Sequence, residues 1–375
     1  MARFDAEKLL RPALQFYDGY TPIEAPEEIA ARHGVPVDRI VKLDANENPY
    51  GPSPKARAAL AGEYGAHRYP DPDQRQLREA LAAWIGVPAS CVVAGAGSDE
   101  MIEALFRSCV DAGERVVISS PTFGMYAFDA EQHGAQLIDV PRVVLPGVGG
   151  WELDRAPLLD AARSAKAMFL ASPNNPTANP APRELIEELL ETGALIVVDE
   201  AYIEFSQGDS LAPLAASGAP LAVLRTFSKW GGLAGLRVGY GVMPEALAAA
   251  TMSVRQPYSL SVAAEVGALA SLDDLELLDE RACTIIAERE RMAEALRATE
   301  WIEPGPSDTN FLLCRVTRSD GATVRDALQR RGVLVRYFDE APLRQYIRIS
   351  TGTPEDTDRL IEALNEVAGE LGADA

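Results

Sequence analysis

Arg225-Thr-Phe-Ser-Lys-Trp-Gly-Gly-Leu-Ala-Gly-Leu-Arg-Val-Gly239 is the stretch around which this 375-residue chain is organised. An apolar run at 221–224 enters it as a strand, a hydroxyl-bearing turn carrying Lys229 follows, and a second apolar run starts at Val238. The interval between the runs is too short for a helical crossover, so residues 238–243 are expected to run antiparallel to their neighbours. Lys229 then stands at a strand exit. Packing there strips water from the ammonium and favours the neutral amine, which can form a Schiff base with a carbonyl. A surface lysine in a glycine-rich loop is the other reading of these residues taken alone.

Working outward, short apolar runs recur at 91–94, 115–119, 135–140, 167–171 and 194–198, with helical periodicity beside most of them. This alternation predicts an α/β fold: a large domain with a mostly parallel mixed sheet flanked by helices. Helical stretches at 262–272 and 274–298 lead out of it into a smaller α+β domain. That domain has strands at 311–316, 333–338 and 346–350 and a closing helix from Pro354. The chain exceeds the roughly 250 to 300 residues at which one core usually splits. The expected division is an N-terminal arm with part of the small domain over 1–40, a large domain over 41–260, and linking helices with the small domain over 261–375.

A hydrophobic share of 47% with 24% charged residues marks an ordinary globular chain, whereas the net charge of -21 is unusual. A surface this acidic repels nucleic acid and anionic membranes, so any anionic substrate must be drawn by local arginines. Cys91, Cys109, Cys283 and Cys314 form no C-x-x-C pair and read as reduced thiols, while His33, His67 and His133 are too few and scattered for a metal site. The N-terminal residues carry charges where a signal peptide is apolar, and no apolar run approaches membrane-spanning length, so a cytoplasmic location is expected.

Chemistry collects at the strand ends. The run at 195–198 ends in Asp199-Glu-Ala-Tyr202, and in doubly wound sheets ligands bind at the carboxyl ends of strands. Asp199 reads either as a helix cap or as an acid that keeps a ring nitrogen protonated. Pro173-Asn-Asn-Pro-Thr177 is a second strand-exit loop in which flanking prolines stiffen the backbone around Asn175. Gly95-Ala-Gly-Ser-Asp-Glu100 follows the first of these strands and opens a helix, so its N–H groups can hold a phosphate. Glu100 stands where a dinucleotide fingerprint needs glycine, and no G-x-x-x-x-G-K-[ST] occurs, which removes support from hydride transfer and nucleotide hydrolysis. A Schiff-base lysine, a ring-nitrogen acid, a ring-oxygen amide and tyrosine, and a phosphate cradle with Arg237 beside it are together what pyridoxal 5'-phosphate requires.

In this order and spacing the motifs resemble the fold type I aminotransferases from about Tyr17 to Thr353, and within them the histidinol-phosphate aminotransferase family. The matching segments are Asn46-Glu-Asn-Pro, Arg68-Tyr-Pro, Gly97-Ser-Asp-Glu, Pro121-Thr-Phe-Gly-Met-Tyr, Ser172-Pro-Asn-Asn-Pro-Thr, Asp199-Glu-Ala-Tyr, Thr226-Phe-Ser-Lys and Gly232-Leu-Ala-Gly-Leu-Arg. The resemblance implies a catalytic set of Lys229, Asp199 and Tyr202. Lys229 would join the cofactor's aldehyde and move the proton, with Asp199 on the pyridine nitrogen. Asn175 and Tyr202 would hold the ring hydroxyl and Phe123 the ring face. Ser98, Asp99, Thr226, Ser228 and Arg237 would hold the phosphate, joined by Tyr69 of the other subunit of a homodimer. Tyr17, Asn46, Asn310, Arg336 and Arg348 would form the substrate side, with the two arginines gripping an acidic end. Each arginine could instead pair with a surface carboxylate.

The implied reaction passes the amino group of L-histidinol phosphate, the donor, to 2-oxoglutarate, the 2-oxo acid acceptor. Aromatic aminotransferases and related phosphoamino-acid decarboxylases share these cofactor residues. Two positions depart from the pattern. Trp230 replaces a small residue and could reshape the pocket or fill a gap beneath it. Ala178 replaces a glycine, and matters only if that backbone needs positive φ.

Overall fold

The computed structural model describes residue 9, residues 23–145 and residues 150–373. Its strands are β1 (Val41–Leu43), β2 (Val92–Ala96), β3 (Arg115–Ile118), β4 (Gln136–Asp139), β5 (Val143–Val144), β6 (Trp151–Glu152), β7 (Ala167–Ala171), β8 (Leu195–Asp199), β9 (Leu221–Thr226), β10 (Val238–Val242), β11 (Ile302–Pro304), β12 (Phe311–Val316), β13 (Val333–Tyr337) and β14 (Tyr346–Ser350).

Seven of them form the large sheet in the order β2-β10-β9-β8-β7-β3-β4. Strand β10 is antiparallel to both β2 and β9, while the β9-β8, β8-β7, β7-β3 and β3-β4 pairs are parallel. The mixed sheet with one reversed member is the one expected from the short interval after Lys229. Its strands alternate between two covered faces. Met168, Leu170, Ile196 and Val198 join one apolar cluster, and Ala167, Phe169, Ala171 and Val197 join the other. Burial on both faces explains why these strands read as unbroken apolar runs.

The small sheet has the order β1-β13-β14-β12-β11. One of its faces, with Leu312, Cys314, Val333, Val335, Ile347 and Ile349, packs on Met292, Leu296, Leu360 and Leu364 from the helices Leu275–Arg297 and Pro354–Ala373. Arg336 and Arg348 are out of phase with those apolar residues and stand opposite one another in the β13-β14 register, so both leave the other face. One expectation is corrected here. Residues 41–43 were expected to open the large domain, yet β1 pairs in parallel with β13 across Val41–Val333 and Leu43–Val335. The small sheet gains an edge strand from the far end of the sequence because Val41 and Leu43 need its apolar cluster for burial.

Where β2 meets the helix Gly97–Cys109 the backbone turns tightly. Gly97 has φ of 84°, and a Cβ on Gly239 of β10 would lie 2.2 Å from both Gly97 C and Ser98 N. Glycine at 239 therefore lets that strand lie directly against the start of the helix.

Candidate active site

The carboxyl ends of β7, β8 and β9, the start of the helix Gly97–Cys109 and the segment after β1 surround a cleft of about 170 Å³. Twelve of the residues singled out from the sequence line it: Asn46, Ser98, Asp99, Phe123, Asn175, Asp199, Tyr202, Thr226, Ser228, Lys229, Arg237 and Arg348. Phe123, Asn175 and Arg348 also line a wider adjoining cavity, which Arg336 and Phe338 share.

Lys229 leaves the end of β9 and its Nζ donates to the Ala45 carbonyl at 3.2 Å. The ammonium stands 5.9 Å from the Tyr202 ring centroid. Burial, and then the charge of Arg348, push the Lys229 pKa down to about 8, against the pull of Glu47 and Asp99. The lysine is thus a half-buried amine with a substantial neutral fraction near physiological pH, and the surface-loop reading is set aside.

Asp199 ends β8 and is buried. Burial pushes its carboxyl up to about 6, while a bond from Tyr126 and the Ala201 N–H oppose that rise. Tyr126 Oη donates to Asp199 Oδ2 at 2.8 Å, and Ala201 N to Oδ1 at 3.1 Å. Tyr126 was not singled out from the sequence, although it closes the matching segment Pro121-Thr-Phe-Gly-Met-Tyr. It is fully buried, and Phe123 sets its ring edge against it at 5.6 Å. A hydrogen bond to an ionised group contributes about 1.5–3 kcal/mol, or roughly one to two pKa units. In Tyr126→Phe the carboxylate loses that support, so Asp199 protonates at higher pH. The acid limb of cofactor uptake by the apoprotein should move up by about one unit, and an unmoved limb would show that the bond does not tune Asp199.

The start of the helix Gly97–Cys109 has no side-chain cap, so its first N–H groups, including those of Ser98 and Asp99, are left for an anion. Arg237 lies beside them, 2.6 Å from the Asp99 carboxylate. Thr226 Oγ1 is 2.9 Å from Ser228 Oγ. Backbone N–H groups, two hydroxyls and a guanidinium suit a phosphate. With a desolvated amine and a buried carboxylate in the same cleft, the donor set fits pyridoxal phosphate.

A polar strap, residues 44–48, links the two sheets. Arg348 Nη2 donates to Asp44 O and its Nη1 to Asn175 Oδ1, both at 2.6 Å. Asn175 therefore offers its amide NH2, not its oxygen, to a ligand. Asn46 Nδ2 donates to Tyr202 Oη at 3.0 Å, and Asn310 Nδ2 to Asn46 O at 3.0 Å. Asn310 is fully buried behind the strap and does not line the cleft, so its expected place beside the substrate is corrected to a support beneath Asn46. Arg336 lies over Phe338 at 5.4 Å, and Arg348 over the same ring at 5.6 Å.

Two other expected residues stand elsewhere. Tyr17 lies outside the described residues. Tyr69 is 83% exposed, its ring tilted against Tyr258 at 4.8 Å, and it does not line this chain's own cleft. Trp230 is buried, its ring against Trp84 at 5.3 Å and Phe227 at 5.6 Å, and its carbonyl accepts from Asn48 Nδ2 at 2.8 Å. It fills a gap beneath the site and does not enter the cleft. Ala178 has φ of 64°, so the alanine sits in the left-handed region that glycine would occupy freely, at a cost of about 1–2 kcal/mol.

Among the described residues no group of His, Cys, Asp and Glu could hold a metal ion, and no helix is long and apolar enough to cross a membrane. The family model for aminotransferase class I and II matches residues 38–364. A histidinol-phosphate aminotransferase of Roseiflexus castenholzii is 48% identical over 373 residues, covering 96% of this chain and 98% of that protein. A chloroplastic histidinol-phosphate aminotransferase of Arabidopsis thaliana is 41% identical over 361 residues, covering 96% and 86%. The solved structure of histidinol-phosphate aminotransferase from Sinorhizobium meliloti in complex with pyridoxal-5'-phosphate aligns with a TM-score of 0.85 at 30% identity, covering 98% of both chains. A lysine-bearing cleft built on a mixed α/β sheet and a match spanning both sheets lead to one conclusion: this chain belongs to the class I and II aminotransferase family.

Proposed function

We propose that this chain transfers the amino group of L-histidinol phosphate to 2-oxoglutarate, giving imidazole-acetol phosphate and L-glutamate, with pyridoxal 5'-phosphate as cofactor. This is a step of histidine biosynthesis. The observation that carries the reading is a desolvated amine, Lys229, and a buried carboxylate, Asp199, in one cleft with an uncapped helix start. Support for the substrate comes from the full-length likeness to histidinol-phosphate aminotransferases.

When bound, the cofactor supplies an aldehyde for the substrate nitrogen and a ring that draws electrons from the α-carbon. Lys229 takes the α-proton on Nζ and returns it, a role suited to an amine whose pKa lies near 8. The Ala45 carbonyl steadies that amine. Asp199 holds a proton on the ring nitrogen, while Tyr202 and the Asn175 NH2 face the ring oxygen. Phe123 covers the ring. The N–H groups of Ser98 and Asp99, with Thr226, Ser228 and Arg237, hold the phosphate. Arg336 and Arg348 bind the acidic ends of the two substrates, with Asn46 and Tyr17 on the same side and Asn310 supporting Asn46 from beneath.

The exposed Tyr69–Tyr258 pair supports a homodimer in which Tyr69 completes the neighbour's phosphate site. The four free cysteines fit a cytoplasmic location.

A substrate panel tests the reading. Histidinol phosphate with 2-oxoglutarate should exceed phenylalanine in kcat/KM by roughly a hundredfold, because a doubly charged phosphate engages both arginines where phenylalanine offers a singly charged carboxylate. Equal or better turnover of phenylalanine would instead identify an aromatic aminotransferase. Carbon dioxide release without a 2-oxo acid would identify a decarboxylase.

A further inference from the structure

We propose that Ser350 is a positioning residue that fixes the direction in which the Tyr202 hydroxyl donates, acting through the side-chain amide of Asn46. The inference rests on the reading of Tyr202 as a cofactor ligand and adds a residue from the small sheet to it.

Three buried hydrogen bonds form a directed chain. Asn46 N donates to Ser350 Oγ at 2.8 Å, Ser350 Oγ donates to Asn46 Oδ1 at 3.0 Å, and Asn46 Nδ2 donates to Tyr202 Oη at 3.0 Å. A carboxamide has nearly the same shape when its oxygen and nitrogen are exchanged, so its partners decide its orientation. Ser350 is the deciding partner. Its oxygen already receives the Asn46 N–H, and its single proton goes to Oδ1, which turns the NH2 group toward Tyr202. The backbone at Asn46 cannot swing to escape this arrangement. It has φ of 54°, and its carbonyl accepts from Asn310 Nδ2.

A phenol oxygen that accepts from Asn46 has its own hydrogen turned away from Asn46, and Tyr202 lines the cleft. Without the serine hydroxyl, Oδ1 loses its donor. The amide can then rotate so that Oδ1 accepts the Tyr202 proton and draws it out of the cleft. Because β14 carries both Arg348 and Ser350, one strand of the small sheet supplies a substrate-side cation and aligns a donor on the large domain.

The test is the pH midpoint of the bound cofactor's visible absorption in the holoenzyme, compared among wild type, Ser350→Ala, Ser350→Thr and Tyr202→Phe. Among the described residues the charged groups that line the cleft with Tyr202 are Asp99, Asp199, Lys229, Arg237 and Arg348, and none of them changes. Loss of donation to the ring oxygen should raise the midpoint in Ser350→Ala by about one pH unit, a tenfold shift. Ser350→Thr keeps the hydroxyl and should restore the wild-type value. Adding Ser350→Ala to Tyr202→Phe should produce no further shift, whereas a general loosening of the fold would add to it. Ser350→Cys, similar in size with a weaker donor, should move the midpoint part-way and serves if the alanine variant does not fold. An unmoved midpoint in Ser350→Ala, or an additive shift in the double variant, overturns the inference. A wild-type protein that shows no visible band with pyridoxal phosphate would instead overturn the proposed function.

Discussion

Replacing Lys229 with alanine is expected to lower turnover at least about 10⁴-fold, or roughly 5 kcal/mol of barrier, and to remove the visible absorption of the bound cofactor. The size of the effect follows from one atom having two tasks. In the proposed reaction Nζ is both the nucleophile that holds the cofactor and the base that moves the α-proton, and no other amine lines the cleft among the described residues. The variant should still fold. Lys229 is desolvated and its pKa lies below the ordinary lysine value, so the folded protein gains little from its charge. Lost turnover with an unchanged or raised thermal midpoint would separate chemistry from folding. Retained turnover would move the reaction to a different residue.

Asp199→Ala should cost about three powers of ten in rate, each worth about 1.4 kcal/mol. An apolar side chain cannot keep a proton on the ring nitrogen, and the ring then draws electrons poorly. The near-isosteric Asp199→Asn should lose a similar amount, because an amide keeps the shape without the charge. The sign of the accompanying stability change is set by the carboxyl's pKa. In the folded apoprotein it is pushed up to about 6 by burial, against the ordinary aspartate value of 3.8. Between those values the native state binds more protons than the unfolded state, so this group lowers stability as pH rises through the window and leaves it lower above pH 6. Asp199→Asn removes that penalty, and the apoprotein variant at pH 8 should unfold at a temperature no lower than wild type. A near-normal rate in either variant would rule out the electron-sink role.

Much of this architecture was legible because strands buried on both faces must be apolar throughout. Strands β7, β8 and β9 therefore announced themselves, and the short interval after Lys229 announced the reversal at β10. The sheet membership of Val41–Leu43 was hidden. Three residues carry no register, and their partner β13 lies nearly 300 positions away. The cleft-lining residues proposed to face the cofactor stood in short motifs at strand ends, where local spacing already places them. Tyr126 and Ser350 were harder to find, since their roles rest on partners 73 and 304 positions distant. Asn310 had a recognisable neighbourhood but not a visible depth, because burial behind the strap depends on how the small sheet docks. Trp230 could not be oriented from sequence. A tryptophan after Lys229 can point into the cleft or beneath it, and the neighbours Trp84 and Phe227 decide the matter.

The central claim is that the Lys229 amine is joined to the pyridoxal phosphate aldehyde in the active enzyme. Borohydride reduction of the holoenzyme followed by peptide mass mapping tests it directly. The expected result is one stable cofactor adduct on the peptide containing position 229, formed in step with loss of activity. Active protein that is reduced without a modification at 229, or modified at another lysine instead, would contradict the account.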